Sequence, residues 1–133
     1  MATVKKFEEL EIWNLSRDFY NGISFIADRL KLRKEFRFAE QMRSSSGAVM
    51  DNIAEGFERS SRLEFLHCLG ISKGELGEIK SQLYRCLDDH YISEEEFLTL
   101  YNKADLVSKK IASFIIYLNN SNQKGLKFKD RSK

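Results

Sequence analysis

The sequence predicts an all-α protein folded as an up-down-up-down antiparallel four-helix bundle. Three observations predict it. No proline occurs among the 133 residues, so the strongest helix breaker is absent. Four stretches repeat apolar residues at alternating spacings of three and four, the period of packed helices. Two helix starts are written as capping boxes. At ~150 residues per domain the chain is one domain, with the bundle over residues 1–120 and a basic tail over 121–133. A 42% hydrophobic and 32% charged composition belongs to a soluble globular chain rather than a disordered or membrane-spanning one.

The first helix is expected over residues 7–30, on a seam of Trp13, Ser16, Tyr20, Ile23, Ala27 and Leu30. The second, over 35–57, carries Phe38, Met42, Ser45, Val49, Asn52 or Ile53, and Gly56. The third, over 61–88, opens on Ser61-Arg62-Leu63-Glu64, a capping box without a staple, and continues through Phe65, Leu69, Ser72, Leu76, Ile79, Leu83 and Cys86. The fourth, over 93–120, opens on Ser93-Glu94-Glu95-Glu96, flanked by Ile92 and Phe97 at the spacing of a hydrophobic staple. Its seam runs through Leu100, Ala104, Val107, Ile111, Phe114 and Leu118. Short connections between long seams are the pattern of an up-down bundle.

Two features suggest an assembly. On the first helix, Leu15, Ile26, Phe19 and Ile12 widen the apolar arc to about 180°, where one buried face needs roughly 100°. A second subunit is the economical cover for the surplus; a wide core face is the alternative. On the third helix, Gly70, Gly74 and Gly77 share one side with Ser81, away from the leucine seam. A helix-interior glycine costs ~1 kcal/mol relative to alanine. Three aligned glycines suggest that another backbone or a bulky side chain approaches there.

Catalytic and metal chemistry find little support. Cys68 and Cys86, 18 residues apart, lie roughly 27 Å apart on one helix, beyond the ~7 Å limit for a disulfide. They read as reduced core thiols of a cytoplasmic protein. Neither has a histidine spaced to activate it. Glu64-x-x-His67 matches one half of a di-iron bundle motif, but the only other histidine, His90, falls in a connection. No cofactor or metal is expected. The N-terminus lacks a signal-peptide stretch, and the most apolar run, Ile111 to Leu118, spans eight residues, too few to cross a membrane.

Asn52 sits at the margin of the second helix's apolar stripe. It is expected to fasten that helix to a neighbour, through Glu75 or Glu78, with a ligand contact as the alternative. Charge geography singles out one end of the bundle, where Lys5, Lys6, Arg59 and Arg62 meet the tail. There Lys124, Lys127, Lys129, Arg131 and Lys133 face only Asp130, giving the tail +4 and the other 120 residues −2. This end is the expected phosphate-binding surface, against a solvated lysine rim as the plain alternative. At the opposite end, Arg29, Lys31, Arg33, Lys34 and Arg37 face Asp88, Asp89 and Glu94 to Glu96 and largely neutralise them.

The stretch Gln41 to Phe57, with its Asn52-Ile53-Ala54-Glu55-Gly56 core, resembles the signature of the 23S rRNA intervening-sequence protein family. Arg59, Ser61, Glu64-Phe65, the segment Leu69 to Glu78 and the opening Phe7 to Trp13 are similar to that family as well. Arg43, Asn52, Glu55 and Gly56 are the motif positions singled out. Met50 departs from the pattern, standing where many members have proline. The resemblance implies a four-helix bundle assembled into a ring-like homopentamer, a bacterial origin and RNA binding. Accessory proteins of diversity-generating retroelements look like distant relatives that bind nucleic acid and a reverse transcriptase. The expected function is a cytoplasmic, non-enzymatic scaffold that binds RNA or DNA; the alternative is a protein-binding adaptor without a nucleic-acid role.

Overall fold

A computed structural model describes residues 4–120. A single 3-10 turn, Phe7–Glu9, precedes four helices: α1 (Glu11–Leu32), α2 (Phe36–Glu58), α3 (Arg62–Asp88) and α4 (Glu94–Asn120). No strand occurs among the described residues. Cross-helix pairs fix every neighbour as antiparallel: Arg43 with Asp28 for α1 and α2, Ser72 with Val49 for α2 and α3, Lys80 with Asp105 for α3 and α4, and Lys110 with Glu11 for α1 and α4. The α2–α3 packing is the most extensive and the α1–α4 packing the least. No described helix is long and apolar enough to cross a membrane.

The seams become the core. All seven positions of the α3 seam are buried, and on α2 the choice falls on Ile53, fully buried, while Asn52 is half-buried. Two fully buried hydroxyls return to their own helices, Ser16 donating to Ile12 O at 2.7 Å and Ser46 to Met42 O at 2.8 Å. This satisfies polar groups that would otherwise be stranded away from water.

Two sequence expectations need correction. The first helix does not start at residue 7. Leu10 leaves helical geometry at φ −81°, ψ 127° and turns its own side chain into the core. The 3-10 turn then folds back, with the Phe7 and Trp13 rings edge to face at 5.0 Å. The Asn14 amide donates to Glu8 O at 2.8 Å and Leu10 O at 3.0 Å, holding the turn on α1. The broad apolar arc of α1 is also largely covered within the chain, with Trp13, Leu15 and Tyr20 left half-buried. Ile12, Phe19, Ile23, Ile26, Ala27 and Leu30 are all buried within the one chain, because α1 packs against α2 on one flank and α4 on the other. The large apolar side chains that α1 leaves in solvent are Phe25, 67% exposed, and Leu32, 86% exposed, both outside that arc.

The connections share a device. Lys34, Ser60 and His90 each take a left-handed backbone, φ 64°, 57° and 63°. After α1, Lys34 N–H bonds Lys31 O and Glu35 N–H bonds Leu30 O, both at 2.9 Å. After α3, His90 N–H bonds Leu87 O at 3.1 Å and Tyr91 N–H bonds Cys86 O at 2.9 Å. Both are the Schellman arrangement, which satisfies the last carbonyls of a helix and sends the chain sharply back.

Candidate nucleic-acid interface and assembly face

The antiparallel order brings the chain start, the α2–α3 connection and the end of α4 to one end of the bundle. Lys5 and Lys6 are exposed there. Arg59 is exposed too, but its guanidinium is already shared: Nη2 lies 2.6 Å from the Glu55 carboxylate and Nη1 3.3 Å from that of Glu64. Those bonds, to Glu55 first, raise its pKa. Arg62 Nη1 donates to Leu118 O at 3.4 Å and Asn119 O at 3.5 Å, where its charge offsets the negative end of the α4 dipole. Of the four basic residues placed at this end by the sequence, two therefore have partners within the fold. Lys124, Lys127, Lys129 and Arg131 lie outside the described residues.

At the opposite end one of the expected cation–acid pairs forms. Arg29 chelates Glu96 through 2.9 and 2.7 Å bonds and also donates to Tyr91 O at 3.0 Å. Lys31 pairs with Glu40 at 3.3 Å. Arg33 lies 4.9 Å from the centre of the Tyr91 ring, and Arg85 4.2 Å from that of Phe38. The Glu94–Glu96 run starts α4 as its capping box requires, with Ser93 N–H donating to Glu96 at 2.9 Å and Glu96 N–H to Ser93 Oγ at 3.1 Å.

The glycine stripe of α3 faces outward. Gly70, Gly74, Gly77 and Ser81 are all exposed, and a Cβ built on any of the three glycines would meet nothing within 4 Å. Leu63, 49% exposed, and Ile71, 38% exposed, border the stripe. Among the described residues nothing packs on this surface or requires its glycines to be glycine.

The motif residues divide by role. Gly56 is where α2 and α3 approach most tightly, since its Cβ would fall 2.8 Å from Cys68 Cβ and 3.3 Å from Phe65 Cα. Arg43 Nη2 pairs with Asp28 at 2.6 Å and Nη1 reaches Tyr20 Oη at 3.4 Å, linking α2 to α1. Asn52 does not fasten α2 to a neighbour. Its Nδ2 donates to Ala48 O at 2.8 Å on its own helix. The polar ties between α2 and α3 come instead from Ser72 Oγ to Val49 O and from Ser45 Oγ to Glu78, both at 2.8 Å. Heptad reading places Ser45 and Ser72 on the core faces; Glu78, expected as a partner of Asn52, accepts from Ser45 instead.

Asn52, Glu55 and Arg59 from α2 face Leu63, Glu64, His67, Cys68 and Ile71 from α3 across a groove of about 360 Å³. His67 is exposed on it. Burial raises the pKa of Cys68 and pushes the Cys86 thiol up to about 11. The Cys86 sulfur sits 3.6 Å from that of Met42 in the core, so both cysteines are thiols at neutral pH.

Against known proteins, the family described as 23S rRNA-intervening sequence protein matches residues 8–113. Among solved structures, the chain is similar to a protein of unknown function from the S23 ribosomal protein family of Bacteroides thetaiotaomicron. The TM-score is 0.75 and the identity 26%, over 78% of this chain and 97% of that one. No curated protein matches the chain.

Proposed function

The chain belongs to the 23S rRNA-intervening sequence protein family, and from that premise we propose that it is a non-enzymatic, cytoplasmic homo-oligomer binding RNA or DNA through its Lys5 and Lys6 end. A ring-like homopentamer is the assembly that the family resemblance implies. The observation that supports the reading is the open face of α3, where three glycines present bare backbone between Leu63 and Ser81 and no described residue packs on them. A helix spending ~1 kcal/mol per glycine on a surface that meets only water is accounted for by a second copy seated there. Cyclic repetition of a modest basic end then multiplies weak phosphate contacts through multivalency.

With Arg59 and Arg62 engaged inside the fold, the phosphate contacts fall to Lys5, Lys6 and the basic tail. Sedimentation at micromolar concentration should give a multiple of 15.5 kDa, and labelled RNA and DNA should be bound with an affinity that falls steeply as salt rises. A single-subunit mass would remove the assembly. No binding at low salt would leave the adaptor reading, which the exposed Phe25, Leu32 and Phe36 at the other end of the bundle favour.

A further inference from the structure

We infer that the cleft between the chain start and the last turns of α4 takes one unpaired guanine base of a nucleic-acid strand, which deepens the nucleic-acid reading and rests on it. The cleft follows from the break at Leu10. Because the chain leaves helical geometry there, the 3-10 turn packs on α1 and α2 rather than on α4. The helix that α1 meets most sparingly, α4, is left with a gap beside it between Lys110 and Tyr117. That gap holds about 390 Å³, within the ~300–1,000 Å³ range of small-ligand sites.

Its wall suits a base and its rim suits a phosphate. Phe114 and Tyr117 are stacked on each other at 5.7 Å and 18°, and they line the cleft together with Val4 and Ile12. Both rings are half-buried, a flat apolar wall of the kind on which an unpaired base stacks. Val4 brings the next two residues, the exposed Lys5 and Lys6, to the rim. Selectivity comes from one ion pair. Lys110 Nζ lies 3.4 Å from Glu11 Oε1, and both residues line the cleft. An ammonium has three donors and a carboxylate two oxygens, so each keeps bonding capacity for a ligand. The other carboxylate of the cleft, Glu9, is tied to its own turn by the Lys5 N–H at 3.1 Å. A donor beside a carboxylate is the complement of guanine's pairing edge, where O6 accepts and N1–H and N2–H donate. Lys110 donates to O6, and Glu11 accepts from N1–H and N2–H. No other standard base sets two neighbouring N–H groups beside a carbonyl on that edge. In a duplex the same edge is taken up by cytosine, so the strand must be unpaired at this base.

The test is nuclear magnetic resonance of the full chain with mononucleotides, followed by fluorescence anisotropy with labelled RNA decamers at low salt. Guanosine monophosphate should shift the Phe114 and Tyr117 ring signals, and uridine monophosphate should not. An alternating uridine–guanosine decamer should bind about tenfold tighter than oligouridine. The Glu11 side chain is 65% exposed, so Glu11→Gln keeps the fold, and it should abolish that preference. Plain attraction between lysines and phosphate predicts the reverse, because removing a carboxylate then tightens every decamer. Equal ring shifts with both nucleotides, no shift at either ring, or a preference that survives Glu11→Gln overturns the inference. Rings that shift with protein concentration and not with nucleotide assign the cleft to a second copy and overturn it too. Decamers bound without preference sink the guanine cleft and leave the nucleic-acid reading standing. Guanosine monophosphate seated specifically in a protein that binds no decamer upholds the cleft and sinks only the nucleic-acid function.

Discussion

The Tyr91 hydroxyl donates a hydrogen bond to the Glu35 carboxylate, joining the α3–α4 connection to the α1–α2 connection. Each residue directly follows the left-handed residue of its turn, and each closes that turn with a 2.9 Å backbone bond to the helix behind it. Two Schellman turns at one end of the bundle are thereby latched to each other, with Arg33 against the Tyr91 ring and Arg29 on its carbonyl.

Tyr91→Phe should lower the melting temperature at neutral pH. The bond to Glu35, then burial, raise the tyrosine pKa above its ordinary 10.0. A folded-state pKa above the unfolded one gives stability that is present below pH ~10 and lost as pH rises through the folded value. Melting curves should therefore show a gap between wild type and Tyr91→Phe at pH 7 that closes in alkali.

Acid acts on the other latch. Arg29, then the Ser93 N–H, hold the Glu96 carboxylate down at about 2, from 4.5. A depressed carboxylate contributes stability that is complete above pH ~4.5 and lost as pH falls through the folded value. Glu96 is about a third exposed, so solvent screening reduces the contribution to about 1 kcal/mol. Glu96→Gln keeps the capping box but loses the charge. Its deficit in urea denaturation should be full at pH 7 and shrink between pH 4.5 and 2.

The left-handed residues offer the opposite sign. Lys34 and His90 hold φ near 64° and 63°, a conformation that costs an L-residue roughly 1 kcal/mol. Lys34→Gly and His90→Gly should each raise stability by about 0.5–1 kcal/mol in denaturant titrations. Lys34→Ala should bring no such gain.

The glycines should separate cleanly. Gly56→Ala drives a methyl into Cys68 Cβ and the Phe65 backbone and should cost about 1–3 kcal/mol. Gly22→Ala meets only the mobile end of Leu100, at 2.8 Å; a small shift of that leucine, offset by ~1 kcal/mol of helix propensity, leaves it near neutral. Gly74→Ala has open space. In a lone bundle it should stabilise by about 1 kcal/mol, whereas in an assembly packed on that face it should lower the oligomer mass seen by light scattering.

The four helices were legible because their signals are local. Ser93 and Glu96 cap each other as the sequence states, and Ser61 Oγ accepts from Glu64 N–H at 3.4 Å. Partners across the bundle were not legible. Periodicity shows that α1 has a broad apolar arc but not that α2 and α4 between them cover it. It shows Asn52 at a stripe's margin but not that the amide would bond Ala48 one turn back, a local choice open to any Asn in a helix. The break at Leu10 escaped because leucine is a strong helix former, and only burial of its side chain overrides that preference. Charge counting found the basic end but passed over the i,i+4 spacing that lets Glu55 occupy Arg59, and it could not foresee that Glu64, from the start of α3, would share the same guanidinium.

The uneven packing of the helices sets how the molecule breathes. With α2 and α3 pressed together and α1 meeting α4 most sparingly, a fluctuation separates α4 from α1 before it parts the central hairpin. Backbone amides along α4 should then trade deuterium ahead of those at Val49 and Ser72, and a protease admitted to the interior should enter by that slit.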